Sequence, residues 1–465
     1  MRWTVLRRFA ISCLLVALAL PAVPRTRPHY GGTLRVEIEG DAWAQPVAQQ
    51  GEQARRLIFD GLTRVDASGS ARPSLAVRWA SENNDHRWQF WLRPGVRFQD
   101  GAALTSATVE SSLTGSCGAS CPWTAVHAVG AEMIFTGDAP MPNLPALLAG
   151  DDFLIARSGS INSGSPNSGA ASLTGPVIGT GPFEPVDFSN DVLTLVANDS
   201  CWQGRPFLDK IEIYGHKSIR DQWLDLSVGR ADLVEVPAEQ LRQAREQRLT
   251  VVASPPASLL ALAIADAGAL FNSSLRAAIA QAVDRSALSN VIFQKQGEIT
   301  ASLLPSELTG YGFLLTTDRD VNKARELRGG LAPPPLTLST ESNAAMQLAA
   351  QRIALNLRET GFNVLVVPAG GPQHTDMVLL RLTLRSSQPQ AALESLLRGV
   401  GVAAPVLEDS PSGLYRVEHD FLETHTLIPL LYLPRAYAEG GRVRDLRLSP
   451  DGVPLLAGVS LEDTP

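Results

Sequence analysis

PLTLSTESNAAMQLAAQRIALNLRETGFNVLVV, residues Pro335 to Val367, contains two extended runs with a helical pattern between them. PLTLST reads as a strand. Met346, Ala350, Ile353 and Leu357 recur at the spacing of one helical face, and Gly361 stops that helix before FNVLVV, a second strand. Strand, helix, strand over this distance implies a parallel crossover, because parallel neighbours need a connection of about a dozen residues or more. The chain is therefore α/β.

Upstream, LALAIAD from Leu260 reads as a buried strand. NSSLRAAIAQAVDRSALSNVIF from Asn272 reads as a helix with Leu275, Ile279 and Val283 on one face and Asn272 or Ser273 as its cap. Downstream, YRVEHDFLET is helical and THTLIPLLYLP is another apolar strand. The first half carries strand patterns in GGTLRVEIE, PSLAVRW and RWQFWLR, with a short helix in ARRLIFDGLTRVD. After the Asp100-Gly101 turn, Thr105 or Ser106 can cap a helix running through Leu113. Ser158 to Gly175 is rich in Ser, Gly and Asn and reads as a mobile connecting loop. VIGTGPFEPVDF places Gly179, Gly181 and Pro182 at a tight turn, and its GTG is too short to cradle phosphate.

Composition limits the function classes. The 465 residues, 45% hydrophobic and 19% charged, suit two or three folded domains. Arg2, Arg7 and Arg8 precede the apolar run Phe9 to Leu20, and the small-residue exit that follows makes residues 1–24 a secretory signal peptide. Without those three arginines the formal charge moves from −7 to −10, 37 basic against 47 acidic residues, which argues against nucleic acid as a partner. No later stretch reaches the roughly 18 apolar residues of a membrane span. An exported, soluble protein follows.

Three cysteines remain after the leader. Cys117 and Cys121, inside GSCGASCPW, suit a small disulfide-closed loop in an oxidising compartment, with Cys201 left over; three unpaired thiols is the alternative. The seven scattered histidines offer no metal-ligand spacing, so neither a metal nor another cofactor is expected. Ser, His and Asp residues are present but form no nucleophile motif, so an enzyme is not expected.

Seven blocks occur in a familiar order: YGGTLRV, LIFDGLTRVDASGSARPSLAVRW, WQFWLRPGVRFQDGAALT, VIGTGPF, NDSCWQGRPFLDKIEI, LRAAIAQAVDR and IPLLYLP. Together they resemble family 5 extracellular solute-binding proteins, the oligopeptide, dipeptide and nickel-type binding subunits of ABC importers. The resemblance implies a two-lobed periplasmic-binding-protein-like α/β fold with mixed sheets and a ligand cleft between the lobes. Lobe I would take residues 30–254 plus 427–465 and lobe II residues 259–424, with hinge crossings near 253–258 and 427–434. Prolines there would stiffen the connections without blocking rigid-body closure. The implied function is capture of a peptide-like or other small solute outside the cytoplasm, by a monomer, for delivery to a membrane permease. A sensor or non-transporting binder and an exported hydrolase are the alternatives.

Trp43 could stack on a ligand, with Gln45 beside it in DAWAQPV, where the usual leucine-aspartate-proline block is missing. Trp202 resembles the family's aromatic at its position, which often packs within the lobe. Thr108 stands where the family has an aspartate before Val109; Leu382 and Gln388-Pro389 stand where it often has a tryptophan and an aspartate-proline pair. In peptide-binding members an aspartate in the loop after the DMVLLRLTL-like strand holds the peptide's α-ammonium. Arg385 lies at or beside that position, so an anionic or neutral solute is expected in place of a peptide N-terminus.

Overall fold

A computed structural model describes residues 29–40, 52–66, 70–114, 121–157, 178–312, 314–330, 333–341, 343–368, 375–384, 386, 388–402 and 411–462. The crossover is present: strands Leu336–Thr340 and Val364–Pro368 pair in parallel and flank the helix Ala344–Glu359. The Asn343 side chain accepts from the amides of Ala345 and Met346, supplying the cap that starts this helix. Met346, Ala350, Ile353 and Leu357 are each fully buried. Beyond the helix end, Gly361 takes φ +94°, a conformation that costs glycine little.

One mixed sheet of eleven strands runs through the described residues. Ten lie in the order Val364–Pro368, Leu336–Thr340, Met377–Thr383, Thr250–Ile264, Leu427–Glu439, Leu233–Glu235, Thr33–Glu37, Lys210–Tyr214, Val192–Ala197 and Phe183–Ser189. Glu298–Ile299 pairs at the side with Leu427–Glu439. A separate antiparallel sheet has the order Ala76–Glu82, Arg87–Leu92, Glu132–Thr136 and Ala125–Val129.

These strands serve two bodies of core. The second body packs helices on both faces of its sheet: Leu260 and Leu262 join Ile279, Ile353 and Leu379 on one side. Their neighbours Leu259 and Ala261 join Leu382, Leu393 and Tyr432 on the other, as strand alternation requires. The first body holds Leu34, Val36, Ile58, Phe183, Leu195, Ile211 and Tyr437, and beside them an aromatic cluster of Trp88, Phe90, Trp123 and Phe135.

Two local expectations are refined. Thr105, not Ser106, caps the helix Ser106–Thr114: its Oγ1 accepts from the Thr108 amide at 3.2 Å, and the Thr105 amide donates to the Thr108 hydroxyl at 2.9 Å. Thr108 thus closes a reciprocal capping pair. The helix from Ser273 ends at Ala282, and Val283 is a buried, extended residue beyond it. Asp284 then caps a new short turn through the Ala287 amide, while its own amide is held by Asn356 from another helix.

Candidate functional site

The two long strands, Thr250–Ile264 and Leu427–Glu439, each serve both bodies. Val252 packs with the first core and Leu259 to Leu262 with the second. On the partner strand Tyr437 belongs to the first core, while Leu427 to Leu433, assigned to lobe I in the sequence reading, stand with the second. Between these halves the pairing is irregular. Ala253 faces Ala436, Pro256 faces Pro434 and Ser258 faces Leu433, with register shifts at each step. Prolines 255, 256 and 434 have no amide to donate, so the ladder is thinnest where the chain passes from one body to the other. The Arg435 amide donates instead to the Ser254 hydroxyl at 3.1 Å.

The carboxyl ends of the parallel strands Thr33–Glu37 and Leu233–Glu235 point toward this passage. Ligands of open α/β sheets collect outside such ends. The residues there are charged. Glu37 is buried, and burial raises its carboxyl above the ordinary value although Lys217 stands 3.4 Å away. Burial likewise raises Glu235, which accepts the Glu39 amide at 2.7 Å and feels the opposing charge of Arg435.

Away from the strands the bodies meet again through the helix Pro389–Gly399. Gln390 accepts a hydrogen bond from the Asn143 side chain, and Arg398 lies 3.5 Å from Asp152. Both Arg398 and Asp152 are about half exposed, so that ion pair stabilises little by itself. Its value is positional, since this helix begins shortly after Arg385 in the sequence.

Trp43, Gln45, Arg385 and Cys117 lie outside the described residues. Cys121 is disulfide-bonded, and Cys201 is buried and free. Trp202 donates its indole N–H to Asp60 at 2.9 Å, lies under the Arg93 guanidinium at 4.6 Å and packs against the aromatic cluster of the first body. Asp60 also accepts from Thr180 and Gln203 at 2.8 and 3.1 Å. The Trp202 polar atom is thus engaged within its own body.

The neighbouring GTG turn is structural. A Cβ at Gly179 would fall 2.0 Å from the Ile58 carbonyl oxygen and one at Gly181 2.6 Å from that of Leu57. Gln99, which sequence reasoning passed over, ties the turn by accepting the Gly179 amide and donating to the Phe183 carbonyl. Arg435 was also missed. The only signal for it was its place directly after LIPLLYLP.

Among the described residues no group of three or more His, Cys, Asp or Glu side chains could hold a metal ion, and no helix is long and apolar enough to cross a membrane. Residues 70–403 match the family described as bacterial extracellular solute-binding proteins, family 5 middle. The chain is 24% identical over 327 residues to the peptide transport periplasmic protein SapA of Salmonella typhimurium, covering 61% of this chain and 60% of that one. It is 30% identical over 166 residues to the HTH-type transcriptional regulator SgrR of Pectobacterium atrosepticum, covering 34% and 28%. It thus spans 60% or less of the length of these two relatives.

Among solved structures, the ABC transporter-associated periplasmic binding protein DppA of Helicobacter pylori, in complex with the peptide STSA, superposes with a TM-score of 0.80 at 18% identity, covering 94% of this chain and 99% of that one. NikA of Staphylococcus aureus, in complex with Ni(L-His)2, gives 0.74 at 16%, covering 92% and 100%. The fold is therefore the two-lobed, mixed-sheet α/β fold of periplasmic binding proteins, which are not enzymes, and the chain belongs to the bacterial extracellular solute-binding proteins of family 5.

Proposed function

We propose that this protein is exported by its N-terminal signal, captures a small solute between its two lobes and delivers it to the permease of an ABC importer. The observation that carries this reading is the pair of long strands whose ladder loosens at Ala253–Ser258 and Leu433–Ala436, where the cores they serve change over. Two such passages leave a rigid-body hinge as the easy motion, and closure would bury the solute and shift the population toward a form the permease recognises. On this reading lobe I takes residues 30–254 with the C-terminal part of the chain, and lobe II takes 259–424 together with Leu427 to Leu433.

The solute contacts are assigned to Trp43, Gln45, Trp202 and Arg385. Arg385 favours an anionic or neutral solute, since a cation there would repel an ammonium group and can pair with a carboxylate. Arg385→Ala is expected to weaken binding by about 1.5 to 3 kcal/mol, as for a buried charged hydrogen bond. Native mass spectrometry of protein purified without denaturation from its own host tests the function. One solute bound per chain, lost after unfolding and refolding, is the expected result; a chain that never carries or regains a solute would oppose it.

A second reading has support in the likeness to a transcriptional regulator. A binder that reports its solute without delivering it would carry the same cleft. Failure of the solute-loaded protein to stimulate any importer's ATPase in proteoliposomes would favour that reading. Pairing of Cys117 with Cys121 stands as part of the proposal, and a peptide mass map without reductant would reveal that link.

A further inference from the structure

We propose that the cavity beside Arg285 in the second body binds a small planar oxyanion of the carboxylate or bicarbonate class, at a site separate from the interlobe cleft. Arg285 is 4% exposed. Its Nε donates to the Pro429 carbonyl at 2.9 Å, and neither Nη1 nor Nη2 has a hydrogen-bond partner among the described residues. No carboxylate there lies in ion-pair range of it.

Other arginines held in these cores are treated differently. Arg276, 6% exposed, pairs with Asp266 at 2.7 Å and also donates to the Leu270 and Thr424 carbonyls. Arg56 is gripped by two aspartates at 2.6 Å each. Arg285 alone among these three is left with one carbonyl, and burial lowers its guanidinium to about 10, so it stays cationic at neutral pH.

A buried cation without a counter-charge is costly, and the cost falls when an anion reaches it. Arg285 lines a cavity of about 80 Å³. That is ample for more than one water, and it suits an ion the size of acetate. Gln281, Thr316 and His425 stand on its walls with the apolar Leu427 and Ile428. The carboxamide and hydroxyl can donate to a second oxygen, while the aliphatic walls keep the local dielectric low and strengthen each charged bond. The two Nη groups form a planar fork, which matches a two-oxygen anion better than a spherical one.

Thermal unfolding with sodium acetate replacing sodium gluconate at constant ionic strength tests this, gluconate being too bulky for the cavity. A saturable rise in Tm of a few degrees is expected in the wild-type protein, by preferential binding to the folded state, with no such rise in Arg285→Met. No rise, or an equal rise in Arg285→Met, would overturn the proposal. Should that variant not fold, crystals of the wild-type protein grown in acetate decide the matter. Acetate density against Nη1 and Nη2 supports the site; water alone, or a carboxylate of the chain itself, overturns it. The readout needs no interlobe solute, so failure here leaves the proposed cleft function standing, and failure of that function leaves this site standing.

Discussion

The two bodies are held together in different ways. The first is assembled from segments far apart in the chain and is laced by buried charges. Arg56 joins Asp151 and Asp451; Asp232 accepts from Arg35 and Arg442; and Asp60 gathers Trp202, Thr180 and Gln203. The second is built mainly from one continuous stretch of strands and helices around an aliphatic core. Its buried acid, Glu418, rests on neutral donors: the Leu303 and Leu304 amides at 2.5 and 3.1 Å and the Tyr311 hydroxyl at 2.6 Å. A body closed by distant segments lacks the local helix–strand alternation that aligns apolar faces, and directional ion pairs fix its register instead. A body made of successive crossovers finds its register mainly from apolar pattern.

The largest test of this contrast is Arg56→Met. It strands two buried aspartates and should destabilise the protein by about 3 to 5 kcal/mol, as breaking a buried charge network does; denaturant unfolding measures it. A loss under 1 kcal/mol would remove the distinction between the bodies. In the second body Ile353→Val removes one methylene from a fully buried side chain and should cost about 1 kcal/mol, read in the same way.

The subtlest test is pH. Burial pushes the Asp451 carboxyl up, but the charge and hydrogen bonds of Arg56, the Ser449 hydroxyl and the charge of Arg435 together outweigh it and hold the group below the ordinary value. Its contribution to stability is therefore complete above the ordinary aspartate value of about 4 and fades as pH falls through the depressed one. Burial raises Glu418 by more than Tyr311 and the two amides lower it. The folded state then holds that proton more tightly than the unfolded chain, and stability declines as pH rises from the ordinary glutamate value through the raised one. The two groups have opposite signs. Comparing Tm against pH for Asp451→Asn and Glu418→Gln, the first should flatten the acid loss and the second should flatten the opposing slope. Slopes of the same sign in both would contradict the assignment.

How far the sequence could be read follows the same division. The crossover of residues 335–367 was legible because Met346, Ala350, Ile353 and Leu357 keep helical spacing and Gly361 marks the stop. The early end of the helix at Ala282 was not, since a tertiary bond from Asn356 and the Asp284 cap decide it, with no glycine or proline as a marker. LIPLLYLP read correctly as an apolar strand, yet an unbroken apolar run cannot say which core it serves, and Leu427 to Leu433 pack in the second. The site was harder still. Asn143 and Gln390 meet across 247 residues of chain and have no periodic signal. Gln99 and Arg435 act through backbone groups and charge at the turn and the passage, where pattern is silent.

On the proposed function the two bodies close about the passages at Ala253–Ser258 and Leu433–Ala436. Small-angle scattering of the protein carrying its co-purified solute, against the same protein stripped by unfolding and refolded, tests that claim directly. A smaller radius of gyration in the loaded form, restored when the solute is added back, is the predicted result. Superimposable profiles for loaded and stripped protein, with the solute shown to be bound, would contradict it.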